Sequence, residues 1–162
     1  MGKPLTVGSP QYFAFVKELK NAEGGKVVLR KMTKEFRRQG KPVLNSVKRG
    51  ALGTPSKGQN ARRGRPSLRR SLSKAAVLQI KTAKDAVMIV KISGKKMPSG
   101  MQGLPPYIEG QNATLRHPTF GHDPWVRQVP HPFFFNAVEP HRPRLHEGVN
   151  NVLNEIAEEF GG

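Results

Sequence analysis

Apolar residues recur with helical spacing at both ends of the chain. Tyr12, Phe15, Val16 and Leu19 fall at i, i+3, i+4 and i+7, the period that gathers side chains on one face of a helix. Pro10 stands where a first helical turn tolerates proline, and Gly24-Gly25 close the helix. A second helix begins near Gly25. It carries Leu29, Met32, Phe36, Val43 and Val47 on one face and Lys31, Lys34, Arg37, Arg38, Lys41 and Lys48 on the other. Gly40 and Pro42 are expected to bend or interrupt it, since proline removes a backbone donor and crowds the preceding turn. Gly50 to Gly53 end it. At the far end Leu145, Val149, Val152, Leu153, Ile156 and Phe160 follow one stripe. This predicts a C-terminal amphipathic helix entered through Pro140 and Pro143.

The pattern changes in between. Ala75–Ile80 and Ala86–Ile92 are β-rich runs separated by residues 81–85, a hairpin candidate closed by Ser93-Gly94. The second run is apolar on both faces, as expected where helices pack on a small sheet. Residues 94–143 hold nine of the fourteen prolines and are expected to be irregular. They are too rich in Phe, Trp and Tyr for a plain linker, so an ordered loop region packed on a partner is expected. The predicted architecture is a single α+β domain over residues 1–162. It has basic helices at 1–49, a flexible basic loop at 50–66, a small antiparallel sheet hairpin at 67–93, Pro/aromatic loops at 94–139 and a C-terminal helix at 140–160.

Charge divides the chain more sharply than hydropathy does. Residues 1–100 carry 24 Lys and Arg against 4 Asp and Glu; residues 101–162 carry 4 against 7, and the total is +17. A balance this basic implies an anionic partner: nucleic acid, a membrane surface or an acidic protein. Glu155, Glu158 and Glu159 sit late in the last helix, where acidic charge opposes the helix dipole. The basic half, from the same or a neighbouring subunit, is the expected counter-charge.

Composition narrows the chemistry. With no cysteine there is no disulfide, thiolate metal site or thiol nucleophile. No run of 18 apolar residues marks a transmembrane helix, and no apolar signal-peptide core is visible, so an intracellular chain is expected. Gly53-Thr-Pro-Ser-Lys-Gly58-Gln-Asn60 has the glycine spacing of a phosphate loop. It lacks the Lys-Ser/Thr pair and a preceding strand, and is rejected as one. His117 and His122 near Asp123 suggest a metal or nuclease site, but their spacing is not a helical pair and they stand in Pro-rich sequence. The only Asp are Asp85 and Asp123, Glu109 is an isolated central acid, and no nucleophile-elbow pattern occurs. The expectation is therefore no enzyme, no cofactor and no metal.

Two stretches remain. Arg62, Arg63, Arg65, Arg69, Arg70 and Lys74 form the densest basic segment. Clustered Arg in a Gly-rich setting contacts phosphate backbones without reading bases, and no aromatic lies between Phe36 and Tyr107 to stack on them. An acidic neighbouring protein is the equal alternative. The aromatic run Trp125 to Phe135 is the other outlier. Trp125, Phe133, Phe134 and Phe135 are candidate interface anchors, because aromatics concentrate at interface centres; at least one Phe is expected to be buried within the subunit.

Several short motifs occur together. Gly64-Arg-Pro-Ser-Leu-Arg-Arg-Ser-Leu72 follows the long basic helix. Pro106-Tyr-Ile-Glu-Gly110, Arg116-His-Pro-Thr-Phe-Gly121, Trp125-Val-Arg-Gln128 and Pro132-Phe-Phe-Phe135 then precede the terminal helix. In order and spacing the chain resembles the neck or tail-completion (minor tail) proteins of long-tailed bacteriophages, in the form common in phages of actinobacteria. It departs from them at Gly110-Gln-Asn and in a longer insert over 111–131. The resemblance implies a structural virion protein at the head–tail junction, assembled in the host cytoplasm. It implies rings, usually sixfold, stacked between portal and tail tube around exiting DNA, with adjacent connector, stopper, terminator or tail-tube proteins as partners. The Arg62–Lys74 stretch would then be a lumen or inter-ring contact. A sequence-nonspecific nucleic-acid-binding protein, ribosome- or nucleoid-associated, is the alternative.

Overall fold

The computed structural model describes residues 9–55, 67–81, 87–112, 116–119 and 122–160. Among these residues the fold is α+β, with six α-helices and two separate two-stranded hairpins. The helices are α1 (Pro10–Asn21), α2 (Gly25–Gly53), α3 (Leu68–Ala75), α4 (Leu104–Ile108), α5 (Phe133–Val138) and α6 (Arg142–Phe160). The strands β1 (Ala76–Lys81) and β2 (Val87–Ile92) form one hairpin, β3 (Arg116–Thr119) and β4 (His122–Arg127) the other. The chain divides into two compact units. One comprises Met1–Val43, Leu78–Val90 and His141–Gly162; the other comprises Leu44–Val77 and Lys91–Pro140.

The first unit is a helical core. Ser9 caps α1 by accepting the N–H of Tyr12, supplying one of the acceptors a helix start lacks. Tyr12, Val16 and Leu19 of α1, Val28, Met32 and Phe36 of α2, and Val149, Val152, Leu153 and Ile156 of α6 are buried together, with Phe15, Leu29, Ile80 and Met88 against them. Each large side chain so buried contributes about 1.5–3 kcal/mol of transfer free energy. The apolar stripes read from the sequence of all three helices are thus the faces that meet. Two glycines permit close approach. A Cβ on Gly25 would overlap the Leu19 carbonyl oxygen at the turn from α1 into α2, and one on Gly40 would lie 2.6 Å from Met88 Sδ and 2.7 Å from Leu78 Cδ1.

α2 runs unbroken over 29 residues, so Gly40 and Pro42 do not interrupt it. Phe36 on one side of Pro42, and Val43 and Val47 on the other, are buried, so packing holds the helix on both sides of the proline. Arg38 and Pro42 are exposed, which places the missing backbone hydrogen bond on the outward side of the helix. Gly40 is the point where the β1–β2 hairpin seats.

Buried in the second unit are Val47, Ala51 and Thr54 of the α2 end, Ser71, Leu72 and Ala75 of α3, and Met97, Ile108 and Phe133. Residues 68–75 form a helix, not the start of the hairpin. Ser67 caps it through the Arg70 N–H at 3.3 Å, and Leu68, Leu72 and Ala75 recur at i, i+4 and i+7. The Pro/aromatic segment is also more regular than its prolines suggest, containing α4, α5 and the β3–β4 ribbon. β3 and β4 are antiparallel, with Arg116 opposite Arg127, His117 opposite Val126 and Pro118 opposite Trp125, and with a register irregularity after Pro118. A two-stranded ribbon admits Pro118 and Pro124 because each strand has an open edge.

Candidate interaction surfaces

Four features of the fold bear on function. The first is a clasp within the second unit. The Glu109 carboxylate accepts the N–H of Phe134 at 2.7 Å and of Phe135 at 3.4 Å, serving as a side-chain cap for α5 from 25 residues away. Alongside, the His131 N–H donates to the Ile108 carbonyl at 2.7 Å. Gly110 adopts φ +76°, and a Cβ there would stand 3.0 Å from Pro130. The Tyr-Ile-Glu-Gly turn and the Pro-Phe-Phe-Phe entry to α5 therefore lock onto each other. By residue type alone Glu109 is an isolated acid; its partners are backbone donors, which no residue-type pattern reveals. Burial pushes the Glu109 carboxyl above its ordinary range, against the lowering effect of those donated N–H groups.

The second is the aromatic segment. Phe133 is buried in the unit's own interior, Phe134 is half-buried and packs edge-on against Phe135, and Phe135 is exposed. On the ribbon Trp125 is 54% exposed and Val126 42%, while Val129 just beyond reaches 82%. Trp125 and Val126 are neighbours in one strand and so point to opposite faces, so each face of the ribbon carries an exposed apolar side chain. Among the described residues no third strand pairs with either edge.

The third is the expected basic segment. Arg62, Arg63 and Arg65 lie outside the described residues. Arg70 and Lys74 are exposed on α3, while Arg69 is half-buried with its Nε enclosed and unpartnered among the described residues. The described part of the stretch thus lies on a helix whose other face, Ser71, Leu72 and Ala75, is buried.

The fourth is the polar face of α2 in the first unit. Lys26, Arg30, Lys34, Arg37 and Lys41 are all exposed and follow steps of 4, 4, 3 and 4 residues, one line along the helix. Lys31 beside this line pairs with Glu159 of α6 at 2.5 Å, and Arg38 pairs with Glu35 at 2.7 Å. Glu159 raises the Lys31 pKa through that hydrogen bond, with Glu155 adding to the effect. The acidic end of α6 thus meets a basic residue of its own subunit. No carboxylate among the described residues pairs with the five in line. Like charges at these spacings destabilise a helix by about 0.2–0.5 kcal/mol per pair.

Other sites carry less. A shallow depression lined by Arg142, Pro143, His146, Glu147, Asn150 and Asn151 lies along α6 alone, and His146 Nδ1 there is 3.2 Å from Asn150 Nδ2. Among the described residues no three His, Asp or Glu side chains converge as a metal set. The side chains of His117, His122 and Asp123 fall outside the described set. Among the described residues no helix is long and apolar enough to cross a membrane. Comparison with protein-family models, curated proteins and solved structures finds no match.

Proposed function

We propose that this chain is a structural subunit of the head–tail junction of a long-tailed bacteriophage, a neck or tail-completion protein that closes into a ring around the DNA channel. The observation that carries the reading is the β3–β4 ribbon. Two strands alone are marginal in water, and this ribbon presents an exposed apolar side chain on each face, Trp125 and Val126, with Val129 just past its end. Such an element is completed by another chain, through edge pairing or by covering its apolar side chains. It also falls within residues 111–131, where the sequence departs from the family it resembles. Head-to-tail contacts of this kind, one patch seated on a different patch of the next subunit, generate closed rings when the rotation closes.

The clasp supports the same reading. Glu109 and Ile108 hold both the α5 start and His131, so the chain leaving the ribbon is anchored where it rejoins the core. An anchored base and exposed apolar side chains at Trp125, Val126 and Val129 are what an assembly arm requires. The test is electron microscopy of the purified protein, alone and with the products of its neighbouring genes. Discrete rings are expected; a protein that remains monomeric in both settings refutes the proposal.

A further inference from the structure

We propose that the exposed face of α2 in the first unit is a docking surface for the phosphate backbone of duplex DNA. This surface is separate from the Arg62–Lys74 stretch and does not depend on ring assembly. Lys26, Arg30, Lys34, Arg37 and Lys41 span 15 residue steps, about 22 Å of helix, in a single line with no paired carboxylate among the described residues. Glu35 and Glu159 are engaged by Arg38 and Lys31 at its flank. The line itself therefore keeps its charge.

The chemistry of the line selects the partner. A duplex presents phosphates continuously along each strand, so five evenly spaced cations find partners in any register. The line holds no aromatic residue, and Phe36 on the same helix is buried; single-stranded nucleic acid is normally gripped by stacking on exposed rings. It offers only long flexible cations, which position on backbone without specifying bases. A membrane surface is disfavoured because an interfacial helix inserts its apolar face, and the apolar face of α2, with Val28, Met32 and Phe36, is closed in the core.

The test is fluorescence anisotropy with a labelled 30-base-pair duplex across a salt series. Five contacts predict a slope of log affinity against log salt of about −4.5. An Arg30→Glu, Arg37→Glu variant should bind at least tenfold more weakly with a slope shallower by about 2. Both residues are exposed, so its melting curve should match the parent's; if it does not, Lys26→Gln, Lys34→Gln is the substitute, with the same direction expected. Lys95→Glu, Lys96→Glu, on an exposed turn of the second unit, alters net charge equally and should change affinity less than threefold. The proposal is overturned if the two glutamate variants lose affinity equally, or if loss follows only Arg62→Gln, Arg63→Gln, Arg65→Gln. Tighter binding to a single strand or to an acidic peptide than to the duplex also overturns it. Ring formation is read separately, so failure here leaves the assembly reading standing.

Discussion

On the proposed ring assembly, a Trp125→Glu, Val129→Glu variant should stay folded and stay monomeric under conditions where the parent forms rings. Trp125 is 54% exposed and Val129 82%, so neither substitution opens a cavity or strands a partner within the subunit. Exposed changes of this kind usually move stability by less than about 0.5 kcal/mol. At an interface the same side chains become central apolar contacts, where truncating an aromatic anchor alone costs about 2 kcal/mol or more. Placing a carboxylate in such a contact adds its desolvation. Because every subunit contact in a ring repeats, the loss repeats around the ring. The variant should therefore sediment as one subunit, with melting temperature and far-ultraviolet circular dichroism unchanged. Rings of normal size from this variant would remove the ribbon from the interface.

Glu109 governs the second large effect. Glu109→Ala leaves the Phe134 and Phe135 N–H groups without their acceptor and should destabilise the second unit by about 1–3 kcal/mol. Glu109→Gln keeps one acceptor oxygen and should cost less. The two also separate charge from hydrogen bonding. Burial holds the Glu109 pKa above its ordinary value, so folding favours the protonated carboxyl more than the unfolded chain does. The stability this contributes is complete below the ordinary carboxylate range and is lost as pH rises through the folded value. Glutamine does not titrate. The parent's advantage over Glu109→Gln should therefore shrink as pH rises through and above the ordinary carboxylate range. A parent whose advantage grows with pH over that window would mean that the donated N–H groups outweigh burial.

These two elements also mark where the sequence stops being legible. The three long helices announce themselves through apolar stripes, and the stripe residues Tyr12, Val16, Met32, Phe36, Val152 and Ile156 are those that meet in the first core. The β1–β2 hairpin reads from its β-rich runs. Helix α3 was readable from Ser67 and the Leu68, Leu72, Ala75 spacing, but the arginines between them drew attention to charge. The 94–139 segment misled because proline density argues against regular structure, and a two-stranded ribbon is the one β arrangement that accommodates prolines freely. The Glu109 clasp was beyond sequence, since an acid bonding to distant backbone leaves no periodic trace. Continuity of α2 through Pro42 depends on burial on both sides of the proline, a tertiary effect that overrides local propensity.

The basic face of α2 was half visible. Spacing places six cations on it, but Lys26 and Arg30 extend it, and ion pairs with Glu35 and Glu159 remove Arg38 and Lys31 from its free charge. What distinguishes the remaining line is which cations the fold leaves unpaired, and that depends on where the end of α6 comes to rest.

Trp125 is the only tryptophan in the chain, so its fluorescence reports on the ribbon alone. The most direct measurement is its emission and its quenching by acrylamide as the protein assembles, with rings counted by microscopy in the same samples. Burial of the ribbon at the subunit contact predicts that emission shifts to the blue and quenching falls in proportion to ring formation. Rings that form while Trp125 stays red-shifted and freely quenched, or a chain that forms no ring at any concentration or with any neighbouring protein, would contradict it.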